Sequence, residues 1–167
     1  MKGKLKKKKS VRIIPLIVSI MIPFLIGGIT LLIIPNMNLI YECLVKAMFF
    51  PPVIVFPITW TILYILMGIA SYKVYVLKYD NIDVSSALFV YAIQLLLNFL
   101  WTIIFFEFRL YGLAFLELVL LVLFVILTIK RFYKKAGKKA ALLLLPYFIW
   151  LIYAGVLNFF IWMLNEM

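Results

Sequence analysis

Charge divides this chain before any finer pattern does. Uncharged apolar stretches run at 13–41, 47–72, 84–106 and 140–165, with a fifth at 110–129 broken only by Glu117. A helix needs about 20 apolar residues to cross hydrocarbon, and every stretch reaches that length. The runs are continuous rather than alternating, so their backbone groups must be satisfied within helices and not between barrel strands. The expected fold is an all-α integral membrane protein, a single five-transmembrane-helix bundle with spans near 13–34, 52–73, 84–106, 110–130 and 140–164. Hydrophobic residues make up 68% of the chain, against about 45–50% in soluble domains. The 167 residues divide into a basic tail, 1–12, and one membrane domain, 13–167. The run from Lys2 to Ile34 reads as a first membrane helix. It is longer than the roughly 7–15-residue apolar core of a signal peptide, and no small-x-small cleavage site follows. Pro35, Asn36 and Asn38 are expected to end that helix, leaving 35–50 as an ordered loop.

The net charge of +11 is unevenly placed. On an alternating topology the N-terminus and the 73–83 and 130–139 loops share one side, and that side holds all but two of the Lys and Arg residues. Only Lys46 and Arg109 lie on the other. The positive-inside rule then sets the N-terminus in the cytoplasm and the C-terminus outside. The expected location is the bacterial cell membrane. The Lys runs suit anionic lipid headgroups as partners, and no nucleic acid is expected.

Chemistry is narrowed further by what the chain lacks. It has no histidine and one cysteine, Cys43. An internal disulfide, a Ser-His-Asp triad and a histidine-ligated metal or haem are therefore excluded. No catalytic residue and no metal ligand is assigned, and no cofactor is required.

Polar residues within spans carry the remaining information. Tyr91, Gln94, Asn98 and Trp101 are spaced i, i+3, i+7, i+10 and form one stripe on a helix. Amides in hydrocarbon must face the bundle interior or a cavity. Gln94 is read as interhelical glue and Asn98 as part of a pocket. Trp60 and Trp150 offer broad faces on which a flat ring can stack, unless they only pack or sit in an interfacial belt. Pro146 is expected to kink the fifth span by freeing the Leu142 carbonyl. Gly68 and the pair Ala154-Gly155 are expected to permit close helix approach. Glu117 is the one acid deep in a span, to be partnered by Arg109 two turns away or by an amide of another helix; a structural hydrogen bond is favoured over a proton relay.

Three motifs fall in order on the second, third and fifth spans: Pro51-Pro52 with Trp60, Leu63-Tyr64 and Met67-Gly68; Tyr91-x-x-Gln94-Leu95-x-Leu97-Asn98-x-x-Trp101 with Phe105-Phe106; and Leu145-Pro146-Tyr147-x-x-Trp150 with Ala154 and Leu157-Asn158. Over about residues 40–160 the chain resembles the TspO/MBR family of tryptophan-rich sensory and translocator proteins. The resemblance implies a five-helix bundle that binds porphyrins, protoporphyrin among them, in a pocket lidded by the loop after the first helix. By position, Trp60, Asn98, Trp101, Trp150 and Ala154 would line that pocket, and Tyr41 would sit on the lid. The implied role is tetrapyrrole sensing, handling or transport. Some members promote light-driven breakdown of protoporphyrin, so activity as an enzyme is left open. Members are often homodimers, although the third span here lacks a clean small-xxx-small face. Two departures stand out. The lid segment usually reads Lys-Pro-x-Trp-x-Pro-Pro, whereas this chain has Lys46-Ala47-Met48-Phe49-Phe50-Pro51-Pro52. The C-terminal sterol motif of animal members also lacks its basic residue here. The competing reading is a small proton-coupled transporter of another hydrophobic substrate, with Gln94, Asn98 and Glu117 as its path. A structural subunit without a ligand is the third.

Overall fold

The computed structural model describes residues 11–167. Residues 1–10, which hold most of the basic tail, lie outside the described residues. Helix α1 spans Ile13–Ile33, α2 Met37–Cys43, α3 Val55–Tyr75, α4 Ser85–Thr102, α5 Tyr111–Ala136, α6 Lys138–Leu142 and α7 Leu145–Asn165. A 3-10 turn, Val76–Asp80, extends α3, and a π turn, Ile103–Glu107, extends α4. No strand occurs among the described residues. Five of these stretches are long and apolar enough to cross a membrane.

Several details differ from the sequence expectation, each for a physical reason. The 35–50 segment is not wholly loop: α2 occupies its first half. The start of α3 is delayed to Val55, because Pro51 and Pro52 remove two backbone donors before it. At its far end α5 runs to Ala136, carrying Lys134 and Lys135 in its last turn, where cations offset the helix dipole. Gly137 then breaks the chain at φ 79°, a left-handed-side conformation open to glycine. The fifth span is two helices rather than one kinked helix. Pro146 stands in the first turn of α7, where its missing N–H costs nothing, and Leu143 and Leu144 form the turn between α6 and α7.

The outer face of the bundle is apolar, and a few polar side chains are buried within an otherwise apolar core. Leu116, Leu123 and Ile149 are more than half exposed on its outer face. Ser71, Gln94, Asn98, Thr128 and Asn158 are all buried. Such a surface suits lipid, where association depends on close packing and internal hydrogen bonds rather than on exclusion of water. The core joins Leu63, Met67 and Val74 of α3 to Tyr91 and Leu95 of α4, Leu118 and Leu121 of α5, and Tyr147 and Leu151 of α7. Gly68 lets α1 cross α3: a Cβ there would stand 2.5 Å from Ile20 Cα and 2.9 Å from the Ser19 carbonyl. Gly155 plays no such part, since its Cβ would meet only Leu118 Cδ2, at 3.5 Å.

One end of the bundle gathers the basic loops. The Arg12 guanidinium lies 3.6 Å above the Tyr79 ring, Arg131 donates to the Ser86 carbonyl at 2.7 Å, and Lys135 donates to the Asp83 carbonyl. Asp83 leads into α4 by accepting hydrogen bonds from the Ser85 hydroxyl at 2.6 Å and the Ser85 amide at 2.9 Å. Those bonds, helped by Lys135, hold its carboxyl below the ordinary carboxylate range. A lowered folded-state value contributes stability above the ordinary value, and that contribution disappears as pH falls through the lowered one. Melting in detergent as pH falls below the ordinary carboxylate value of 3.8 should therefore show a small loss that Asp83→Asn removes. Identical pH profiles for the two proteins would discount the contact.

Candidate ligand cavity

A cavity of about 510 Å³ opens between α1, α3, α4 and α7, beneath α2. All six residues assigned from the sequence line it: Tyr41, Trp60, Asn98, Trp101, Trp150 and Ala154. They arrive from four elements. Trp60 projects from α3, one turn before Tyr64, and the two rings lie 5.3 Å apart. Asn98 and Trp101 come from one face of α4, as their spacing requires. Trp150 and Ala154 sit one turn apart on α7. Tyr41 hangs from α2.

Each aromatic is held by a neighbour. Trp150 meets Phe56 edge-on at 5.9 Å and Tyr153 at 5.6 Å. Trp60 also lies 6.2 Å from Tyr147. Trp101 rests on Phe105 at 5.1 Å, and its indole N–H donates to Asn158 Oδ1 at 3.0 Å. Asn158 Nδ2 in turn donates to the Tyr111 carbonyl at 2.8 Å. A half-buried Trp thus has both its face and its polar edge fixed, as a rigid stacking wall requires. Asn98 Nδ2 donates to the Tyr147 hydroxyl at 3.3 Å, and the Asn98 side chain makes no other hydrogen bond among the described residues. It can still meet a ligand.

Among the described residues no charged side chain lines the cavity. Aromatic and aliphatic walls with a few polar groups are typical of pockets for hydrophobic small molecules. Among the described residues no cluster of His, Cys, Asp and Glu could hold a metal. Acid–base catalysis has no candidate pair at the walls.

The lid is tied down. The Tyr41 hydroxyl donates to the Pro51 carbonyl at 2.8 Å, and its ring meets Phe56 edge-on at 4.9 Å. Lys46 donates to the carbonyls of Tyr41 and Glu42, covering the open end of α2. Asn165 clasps Val45 from both sides, accepting from its amide at 2.9 Å and donating to its carbonyl at 3.0 Å. Tyr153 reaches the Phe49 carbonyl at 3.3 Å. Burial, with the Tyr153 phenol adding to it, pushes the Tyr41 phenol up to about 12. A raised value favours the neutral, donating form. The tether is therefore complete below the ordinary phenol value and is lost as pH rises towards 12. Tyr41→Phe should cost about 1 kcal/mol of lid anchoring and speed hydrogen exchange in 44–51 at neutral pH. Equal exchange in the two proteins would show that the bond does not hold the lid.

Two expectations fail here. Gln94 is buried, but neither end of its amide has a hydrogen-bond partner, so it does not glue helices. Glu117 has both carboxylate oxygens buried without a hydrogen bond; neither Arg109 nor an amide of another helix pairs with it. Neither residue reaches the cavity wall. Sequence reasoning also missed contributors. Phe24, Gly28 and Leu31 of α1 line the cavity, yet α1 is so evenly apolar that nothing marks them. Asn158 entered the sequence reading only as part of a motif; that it anchors Trp101 is seen only once the structure sets α7 against α4.

Comparison with known proteins follows the same outline. The sequence model described as the TspO/MBR family matches residues 19–163. The chain is 40% identical over 125 residues to the "Tryptophan-rich protein TspO" of Chlorobaculum tepidum, covering 75% of this chain and 78% of that one. It is 39% identical over 125 residues to "Protein CrtK" of Rhodobacter capsulatus, with the same coverage. To the "Translocator protein" of Ovis aries it is 34% identical over 127 residues, covering 75% of each chain.

Proposed function

The chain belongs to the TspO/MBR family of integral membrane proteins, and on that premise we propose that its cavity binds a porphyrin or a related flat tetrapyrrole. The role is sensing, handling or transport of that pigment. The observation that carries the reading is the convergence of Trp60, Trp101 and Trp150 with Asn98 on one apolar cavity under a tethered lid. Flat rings bury large areas and stack favourably on such walls, and a single amide can fix their orientation. The names of relatives, a sensory protein among them, agree with this use. Orientation follows the charge bias: N-terminus in the cytoplasm and C-terminus outside, in a cell membrane of bacterial type.

The transporter reading loses ground, because Gln94 and Glu117 stand off the cavity wall that Asn98 shares. Light-driven breakdown of bound pigment would draw on the nearby Trp side chains and on oxygen rather than on acid–base residues.

Titration of purified protein with protoporphyrin in the dark, followed by tryptophan quenching, tests the proposal. Wild type should saturate in the micromolar range, and Trp60→Phe/Trp150→Phe should weaken binding about tenfold, as expected when two stacking walls shrink by about 0.5–1.5 kcal/mol each. Binding as tight in the double variant would remove the pocket assignment. Linear, unsaturable quenching of wild type would remove the tetrapyrrole. Illuminating the saturated sample then reports breakdown directly.

A further inference from the structure

Among the described residues one side of the cavity is left open. Helices α1 and α3 meet at Gly68, against Ile20. Two turns along α1 they still meet: a Cβ on Gly27 would stand 2.6 Å from the Tyr64 ring, and Phe24 packs edge-on to Tyr64 at 5.5 Å. A Cβ on Gly28 would meet no atom within 4 Å. Four cavity-lining residues are exposed: Leu31 on α1, Asn38 on α2, and Pro57 and Thr61 on α3. On α3, Pro57, Thr61, Tyr64 and Gly68 form one stripe at helical spacing. The stripe touches α1 at its Gly68 end and opens at its Pro57 end. Elsewhere the walls are fastened. Phe56 and Trp150 bridge α3 to α7, and the lid is tied at Pro51, Phe49 and Asn165.

We propose that the wedge between α1 and α3, bounded by Gly28 and Leu31 on one side and by Pro57 and Thr61 on the other, is a lateral portal through which ligand passes directly between the lipid phase and the cavity. The inference rests on the cavity being a ligand site, and it sets the ligand class: a flat amphiphile dissolved among acyl chains, not a solute arriving from water past the lid. Apolar molecules partition strongly into the bilayer, so a side opening meets them at far higher concentration than a lid facing water does. The wedge also lets a substituent of a bound ring extend between the helices, which an enclosed pocket would forbid.

Gly28→Trp tests this in vesicles. Its Cβ fits without strain, and the indole would fill the wedge. Loading from protoporphyrin-doped phospholipid vesicles, and release from preloaded protein into empty ones, should both slow about tenfold, as expected of a narrowed gate. Gly28 also lines the cavity, so the readout is the fall of both rates together and not the dissociation constant. Release that is unchanged or faster would overturn the portal, since a side chain that merely crowded the pocket would expel ligand sooner. Wild type that takes up no protoporphyrin would instead defeat the tetrapyrrole reading. The portal then still has its own measurement, in unliganded protein. The part of the emission that Trp60→Phe removes should be quenched by phospholipids brominated on their acyl chains, and Gly28→Leu should protect it. A Trp60 component untouched by brominated chains would overturn the portal whether or not porphyrin binds.

Discussion

Replacing Gly68 with valine should prise α1 away from α3 and cost at least about 3 kcal/mol, the upper end of what overpacking usually does. The magnitude follows from what the new atoms meet. A Cβ there would lie 2.5 Å from Ile20 Cα and 2.9 Å from the Ser19 carbonyl oxygen. Neither is the tip of a side chain that can rotate away; both belong to the backbone of a helix. The only relief is translation of α1, which opens the Gly27–Tyr64 contact next to it and loosens the cavity wall. Gly155→Ala is the matched control, because its Cβ would meet only Leu118 Cδ2, at an ordinary 3.5 Å. Thermal unfolding in detergent, read by loss of the monodisperse peak, should separate the two variants clearly. If Gly68→Val melts with wild type, the close crossing is not a determinant of stability.

Asn158→Ala should have the second largest effect, and through a different route. Asn158 is 1% exposed and serves two buried groups, the Trp101 indole N–H and the Tyr111 carbonyl. Truncation leaves both without their partner, at about 1–3 kcal/mol for each orphaned group. The consequence reaches the ligand, because Trp101 is a cavity wall as well as a hydrogen-bond donor. Asn158→Asp discriminates between the two losses. It keeps an acceptor for the indole but gives up the donor to Tyr111. It should therefore retain the Trp101 indole resonance near its wild-type position in an NMR spectrum while still losing stability. Asn158→Ala should shift that resonance and weaken porphyrin binding. An indole signal that stays put in Asn158→Ala would mean that Phe105 alone fixes the ring.

The spans were legible because charge and hydrocarbon length are blunt constraints, and Arg109, Lys130 and Lys139 mark boundaries that tertiary packing cannot move far. The cavity residues were legible chiefly through the family resemblance, Asn98 also because an amide in the middle of a span needs a reason to be there. Gln94 shows the limit of that logic. Its spacing put it on the same stripe as Asn98, but one turn is enough to move it from the cavity wall into the packed centre. Spacing on one helix says nothing of which neighbour stands opposite. The first helix was opaque for the opposite reason. With no polar residue at its cavity face except Thr30, whose hydroxyl is spent on the Gly27 carbonyl at 2.6 Å, any register would have looked the same. The break at Leu143–Leu144 was hidden because hydropathy runs unbroken across it. Only the preference of proline for a first turn separates a helix start from a kink.

The π turn at 103–107 has a meaning for how this chain can vary in length. There the Phe108 amide reaches back five residues to the Ile103 carbonyl at 3.1 Å, so the backbone carries one residue more than an α-helix would use. A single-residue deletion elsewhere in a spanning helix rotates everything after it by about 100° and turns its inner face towards lipid. Within 103–107 the same deletion lets the ladder close as a regular helix. The bulge is thus a store of chain length just past Trp101, and an insertion or deletion there can retune the angle of Phe105 and Phe106 without unseating the four residues of the stripe before it.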